Sequence, residues 1–239
     1  MTTHTKRVLT DGMRKGVSYI LLTCLTLVFL LPFFWMLSTA FKTPAQLYLD
    51  PPVWIPDPIT LDNFIKGWDY VDFNRYVLNT LFITIVGTLG TVVTSALVAY
   101  GFARFPSRWN GPLFTIVLAT LMLPSQVTLI PAYMMYSKLG FVDTYLPLLL
   151  PAMKPVLTTV GVMALIGNWN DFMGPLIYLN SESKYTIAIG LQFFNQNFGT
   201  GKMNYLMAVS ILTTLPLIIL FFCAQRYFVQ GITMSGIKG

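Results

Sequence analysis

The sequence predicts an all-α, polytopic transmembrane helix bundle, and three observations carry that prediction. Of 239 residues, 55% are hydrophobic and only 10% are charged, against roughly a quarter charged in an ordinary soluble domain. The few charges are spaced so widely that the gaps between them match the reach of a helix across a bilayer. Such a crossing takes roughly 20 residues at about 1.5 Å each, for a hydrocarbon core about 30 Å thick. Finally, the basic residues Lys6, Arg7, Arg14 and Lys15 stand before the first such run, as at a cytoplasmic end.

The elements follow in chain order. Lys6, Arg7, Arg14 and Lys15 precede the first run, of 26 uncharged residues between Lys15 and Lys42. This is far longer than a signal h-region, so it reads as a retained span whose basic end is cytoplasmic. The segment from Lys42 to Tyr76 then lies outside. It holds five aspartates and the run Pro51-Pro52-Val53-Trp54-Ile55-Pro56-Asp57-Pro58, which cannot form a regular helix and predicts a folded external loop.

Uncharged runs of 28 residues between Arg75 and Arg104, and of 29 between Arg108 and Lys138, make the second and third spans. The basic turn between them is cytoplasmic. A run of 23 between Lys202 and Arg226 makes a last span. Between Asp143 and Lys154 there are only 10 uncharged residues, about 15 Å of helix, which is half a crossing. One continuous helix over residues 144–177 would place Lys154 in the membrane beside Pro147, Pro151 and Pro155, at a cost of about 2.5 to 3.5 kcal/mol for the lysine alone. Residues 145–150 therefore read as a stump, and residues 155–178 as a separate span.

About five spans plus a short fragment result, and parity leaves two arrangements open. In one, residues 155–178 run inward and the C-terminus ends outside. In the other, the stump re-enters and the C-terminus stays cytoplasmic. The basic residues do not choose, since residues 179–205 and the tail from Arg226 carry two each. By domain, residues 1–75 are the N-terminal tail, first helix and external loop, and residues 76–239 form the main membrane domain.

No enzyme constellation appears. His4 is the sole histidine, which removes imidazole acid–base work. Gly199-Thr200-Gly201-Lys202-Met203 lacks the first glycine and the Ser/Thr of a phosphate loop. Cys24 and Cys223 have no ligand spacing, so no metal or cofactor is expected. The net charge of +6 reflects scarce acids, and nucleic acid is not the implied partner.

Asn168, Trp169, Asn170 and Asp171 place two amides and a carboxylate at the end of an apolar run. Two readings stand: an interfacial helix end with Trp169 in the aromatic belt, or polar groups lining a substrate pathway. Pro124 and Pro131, in the third span, are either ordinary kinks or breaks that open backbone carbonyls to a channel. Gly87, Gly90, Ser95 and Ala99 are small residues at helical spacing, suited to close helix packing.

Taken together, residues 76–82 (YVLNTLF), 95–105 (SALVAYGFARF), 123–139 (LPSQVTLIPAYMMYSKL), 167–179 (GNWNDFMGPLIYL) and 225–239 (QRYFVQGITMSGIKG) resemble one family. It is that of the membrane-spanning permease subunits of bacterial carbohydrate-uptake ABC importers, of the maltose type. The resemblance implies a type I importer permease in the cytoplasmic membrane. It further implies partnership with a second permease, two ATPase subunits, an external solute-binding protein and membrane lipid. Such permeases carry a cytoplasmic loop with Glu-Ala-Ala and then Asp-Gly that docks into the ATPase. Here Glu182 is the only glutamate and Asp11-Gly12 the only Asp-Gly, so the loop is absent and the chain reads as shortened near residues 150–155. Transport with impaired coupling is the expectation. A non-transporting membrane scaffold or accessory subunit is the rival.

Overall fold

The computed structural model describes residues 3–122, 124–152, 160–198 and 201–234. Regular structure among them is helical. Three helices are single rods long and apolar enough to cross a membrane: α1 (Thr3–Ala40), α3 (Phe73–Arg104) and α10 (Met203–Met234). They coincide with the first, second and last uncharged runs. The third run is split into α4 (Asn110–Met122) and α5 (Ser125–Lys138), with Pro124 as the residue before α5. The stump is the seven-residue α6 (Leu146–Ala152), and the following run contains α7 (Val160–Trp169) and α8 (Met173–Tyr178). The proposed shortening at residues 150–155 falls largely outside the described residues.

The chain divides into two compact units, the first made of residues 1–67 with residues 199–211. In it, α1 presents within Arg14–Ala40 an apolar 18-residue window none of which is buried, as a helix surrounded by lipid does. The Thr23 and Thr26 hydroxyls donate to the Tyr19 and Leu22 carbonyls at 2.8 Å, so neither is left unpaired in hydrocarbon.

Beyond α1 the proline-rich stretch forms no regular helix, as its residues require. It is pinned instead by single hydrogen bonds. Ser38 Oγ donates to the Trp54 carbonyl at 2.5 Å, and Gln46 Nε2 to that of Asp57 at 2.5 Å. Trp54 packs edge-on against Trp35, with ring centroids 5.0 Å apart. Lys42 is buried with Nζ 3.8 Å from the centroid of the Trp35 ring, and burial pushes its ammonium below the ordinary lysine range. Asn63, on α2 (Asp62–Tyr70), donates to the carbonyls of Ala40 and Lys42 at 2.7 and 2.8 Å. Asn204, at the start of α10, donates to Asn63 Oδ1 at 2.8 Å and to the Lys42 carbonyl at 3.2 Å.

That last contact places the first turn of α10 beside the end of α1 and the start of α2.

The second unit holds residues 68–198 and 212–239 and is built on α3. Asp72 caps this helix by accepting the Arg75 N–H at 3.2 Å. Its buried residues, Phe73, Tyr76, Thr80, Ile83, Thr84, Gly87 and Thr91, recur at three- and four-residue intervals and form one stripe. Helices α6, α7 and α9 (Ile187–Phe198) pack on α3. Gly190 makes the α9 crossing possible, because a Cβ there would sit 2.3 Å from the buried Tyr76 ring.

Residues 144–178 enter and leave on the same face. The Asp143 N–H donates to the Tyr178 carbonyl at 2.7 Å, so the start of α6 and the end of α8 lie together. The loop after α8 stays at the Phe73 end of α3: Asn79 donates to the Ser183 and Tyr185 carbonyls at 3.0 and 2.8 Å, and the Tyr76 hydroxyl to Glu182 at 3.1 Å. Both ends of residues 144–178 therefore lie near the Phe73 end of α3. Helix α6, about 10 Å long, does not approach the thickness of the membrane.

Candidate functional site: a broken helix at mid-membrane depth

The site lies where α7 stops and α8 starts. The Asn170 backbone N–H closes the last turn of α7 on the Ile166 carbonyl at 3.1 Å, and its side-chain amide returns to that same carbonyl at 3.0 Å. Three residues later the chain turns helical again. The Asp171 carboxylate accepts the Gly174 N–H at 3.1 Å, satisfying one of the unpaired donors at the start of α8 and placing negative charge at its positive end. A Cβ on Gly174 would lie 2.5 Å from Asp171 Oδ2 and 3.0 Å from Leu148, so only glycine lets the carboxylate close over the helix end. Pro175 sits in the first turn, where its missing N–H costs little.

The depth of the break is read from α3. Asn168 Nδ2 approaches Thr88 Oγ1 at 3.5 Å, a long contact at the edge of hydrogen-bond range. Thr88 lies fifteen residues after Phe73 and sixteen before Arg104, at the centre of α3. The turn thus lies level with the middle of α3, a helix long and apolar enough to cross a membrane. At membrane depth, polar groups are costly and non-helical backbone occurs only when protein or a cavity shields it.

The four sequence-predicted residues part ways here. Asn168 faces α3, and Asp171 is half-buried as the cap of α8. Trp169 is 7% exposed, packed inside the unit rather than displayed at an interface, so the aromatic-belt reading does not describe it. Asn170 is exposed. Pro124 marks the junction of α4 and α5, with ψ of 133° that no α-helix continues through, whereas Pro131 lies within an unbroken α5.

One cluster escapes sequence reasoning. Asp143, in the left-handed region at φ 59°, accepts the Ser181 and Asn180 N–H groups at 2.9 and 3.0 Å and the Ser181 hydroxyl at 2.5 Å. Lys184 Nζ donates to its carboxylate at 2.8 Å and also to its backbone carbonyl. The Lys184 and Ser181 hydrogen bonds hold the Asp143 carboxyl well below the usual carboxylate range. The partners lie 38 and 41 residues away, so no local spacing signals them.

Comparison with known proteins gives this geometry its setting. Residues 137–234, from the end of α5 through α10, match the family model described as the binding-protein-dependent transport system inner membrane component. The probable ABC transporter permease protein YurM of Bacillus subtilis is 28% identical, over 87% of this chain and 83% of its own length. The arabinooligosaccharides transport system permease protein AraQ of Halalkalibacterium halodurans is 27% identical, over 95% of this chain and all of its own. The lactose transport system permease protein LacG of Rhizobium radiobacter is 26% identical, over 92% and 95%.

In fold, the chain matches a chain of a bacterial ABC transporter involved in the import of the acidic polysaccharide alginate. The TM-score is 0.78 at 18% identity, over 92% of this chain and 98% of that one. The three sequence alignments run over 257, 282 and 266 residues, each longer than this entire 239-residue chain. Every one of these relatives therefore carries tens of residues with no counterpart here.

Proposed function

We propose that this permease is the membrane-spanning subunit of an importer that moves a carbohydrate or related solute across the cytoplasmic membrane. In this reading it works beside a second permease, ATPase subunits and an external solute-binding protein, and performs no enzymatic step of its own. The observation that carries the reading is the break between α7 and α8 at the centre of α3. Discontinuous helices near the bilayer midplane are where transporters place their solute sites, because the freed backbone groups and capping side chains face a cavity instead of lipid. Asn168, Asn170 and Asp171 line or gate the path, with Trp169 fixing the turn from behind. Pro124 and Pro131 free carbonyls on the α4–α5 run. The solute class follows from the names of AraQ and LacG, which are transport permeases for arabinooligosaccharides and lactose.

Coupling to ATP is impaired in this reading. Residues 144–178 return to the face they entered from, and the relatives' extra residues supply what this chain lacks. We place that shortening at residues 150–155, where a loop reaching the ATPase belongs.

The test is uptake of radiolabelled lactose into vesicles holding this chain and its partner subunits. Uptake above that of protein-free vesicles, altered by Asp171→Asn and stimulated little by ATP, is the expected result. Uptake equal to protein-free vesicles overturns the transport assignment, and strong stimulation by ATP overturns the loss of coupling.

A further inference from the structure

At the Phe73 end of α3, away from the helix break, the second unit contains a cleft of about 490 Å³, within the size range of small-molecule sites. Aromatic rings and hydrogen-bond acceptors line it together: Trp68, Tyr70 and Phe193 on one hand, Asp69, Asp72 and Glu182 on the other. Two of these are held in place. Trp68 Nε1 donates to Asn74 Oδ1 at 3.0 Å, which fixes the indole plane, and the Tyr76 hydroxyl fixes Glu182 at 3.1 Å. A preset ring spends little entropy on binding.

We infer that this cleft is a solute-docking site for neutral oligosaccharides on the outer face of the permease, rather than for acidic ones. The inference rests on the carbohydrate-importer reading and adds a site and a charge preference to it. A pyranose ring presents a face of C–H groups that packs on an aromatic ring, and a rim of hydroxyls that donate to carboxylates. The cleft supplies both surfaces. Of the bases near its three carboxylates, Arg75 lies with Nε 3.9 Å from Asp72, while Lys66 is paired with Asp62 and Lys184 with Asp143. The local field therefore repels a uronate while leaving a neutral sugar unaffected. A metal ion is not the occupant these acids suit, because among the described residues no group of three potential ligands converges to hold one.

The full chain in lipid nanodiscs tests the site by tryptophan fluorescence and saturation-transfer NMR, with raffinose and tri-galacturonate as probes at low salt. Saturable raffinose binding is expected, with tri-galacturonate at least tenfold weaker. Trp68→Ala should weaken raffinose binding tenfold or more, while Trp54→Ala, in the other unit, leaves it unchanged. Should Trp68→Ala misfold, Asp69→Lys takes its place, and the expected result is a narrowed gap between the two sugars. No saturable binding, equal binding of both sugars, or indifference to every cleft variant overturns the inference. Lactose uptake by the assembled importer separates the two ideas: uptake without cleft binding defeats the cleft alone, and cleft binding without uptake defeats the importer reading alone.

Discussion

Lys184 and Asp143 form an ion pair at 2.8 Å that ties the loop after α8 to the loop after α5. Through it, the two ends of the re-entrant segment 144–178 are held on one face of the protein. Because the folded Asp143 carboxyl titrates below its ordinary value, its stabilising effect is complete above about pH 4, the unperturbed carboxylate pKa. It is lost as pH falls from there through the lowered value. Asp143→Asn keeps a side chain that tolerates the left-handed backbone and removes only the charge. A loss of about 1 kcal/mol is expected, with the pair partly exposed. The midpoint of thermal unfolding in detergent at pH 7 should fall by about 2 to 4 °C, and the difference from the parent should shrink as the pH is lowered below 4.

Gly190 and Tyr76 set the distance between α9 and α3. Gly190→Ala puts a methyl carbon 2.3 Å from a ring carbon with no exposed surface to move into, an overpacking that costs about 1 to 3 kcal/mol. Gly16→Ala, where nothing lies within 4 Å, serves as the neutral control. Comparison of the two variants' unfolding midpoints checks the assignment, and equal midpoints contradict it.

Asn63 sits at the centre of the first unit, donating to two carbonyls and accepting from Asn204. Asn63→Ala takes the side-chain donor from the Ala40 carbonyl and leaves the Asn204 amide only its longer bond to the Lys42 carbonyl, at about 1 to 3 kcal/mol. Asn63→Asp restores the acceptor but not the donor, and should recover only part of that loss. Protease susceptibility of the segment between α1 and α2 reports it directly.

A re-entrant path for residues 144–178 predicts that a tag at Gly239 is protected in intact cells and becomes accessible only after the membrane is permeabilised. A cysteine at Ser181 should label from outside in the same cells. A tag labelled from outside contradicts the re-entrant path.

How much of this was readable beforehand depends on the range of the forces involved. The spans α1, α3 and α10 were legible because a bilayer imposes one length on any uncharged helix, and counting between Lys15, Lys42, Arg75, Arg104, Lys202 and Arg226 measures it. The stump at residues 145–150 was legible for the same reason, as α6 (Leu146–Ala152) shows. Parity was not, because the contacts that bear on it, Asp143 with Tyr178 and Asn204 with Lys42, join residues far apart in the chain. The polar residues of the break were visible as misfits in an apolar run. That Asp171 closes over Gly174 was not, since a cap and a pathway carboxylate look alike in one dimension.

The first unit takes its last piece, residues 199–211, from the end of the chain, and Asn204 reaches back 141 positions to Asn63. During synthesis the opening helix must therefore wait in the bilayer, its loop unfinished, until residues 199–211 have been made. A transcript cut short anywhere before Met203 yields a product that inserts yet never seals its own beginning, and such orphans are natural prey for membrane quality control.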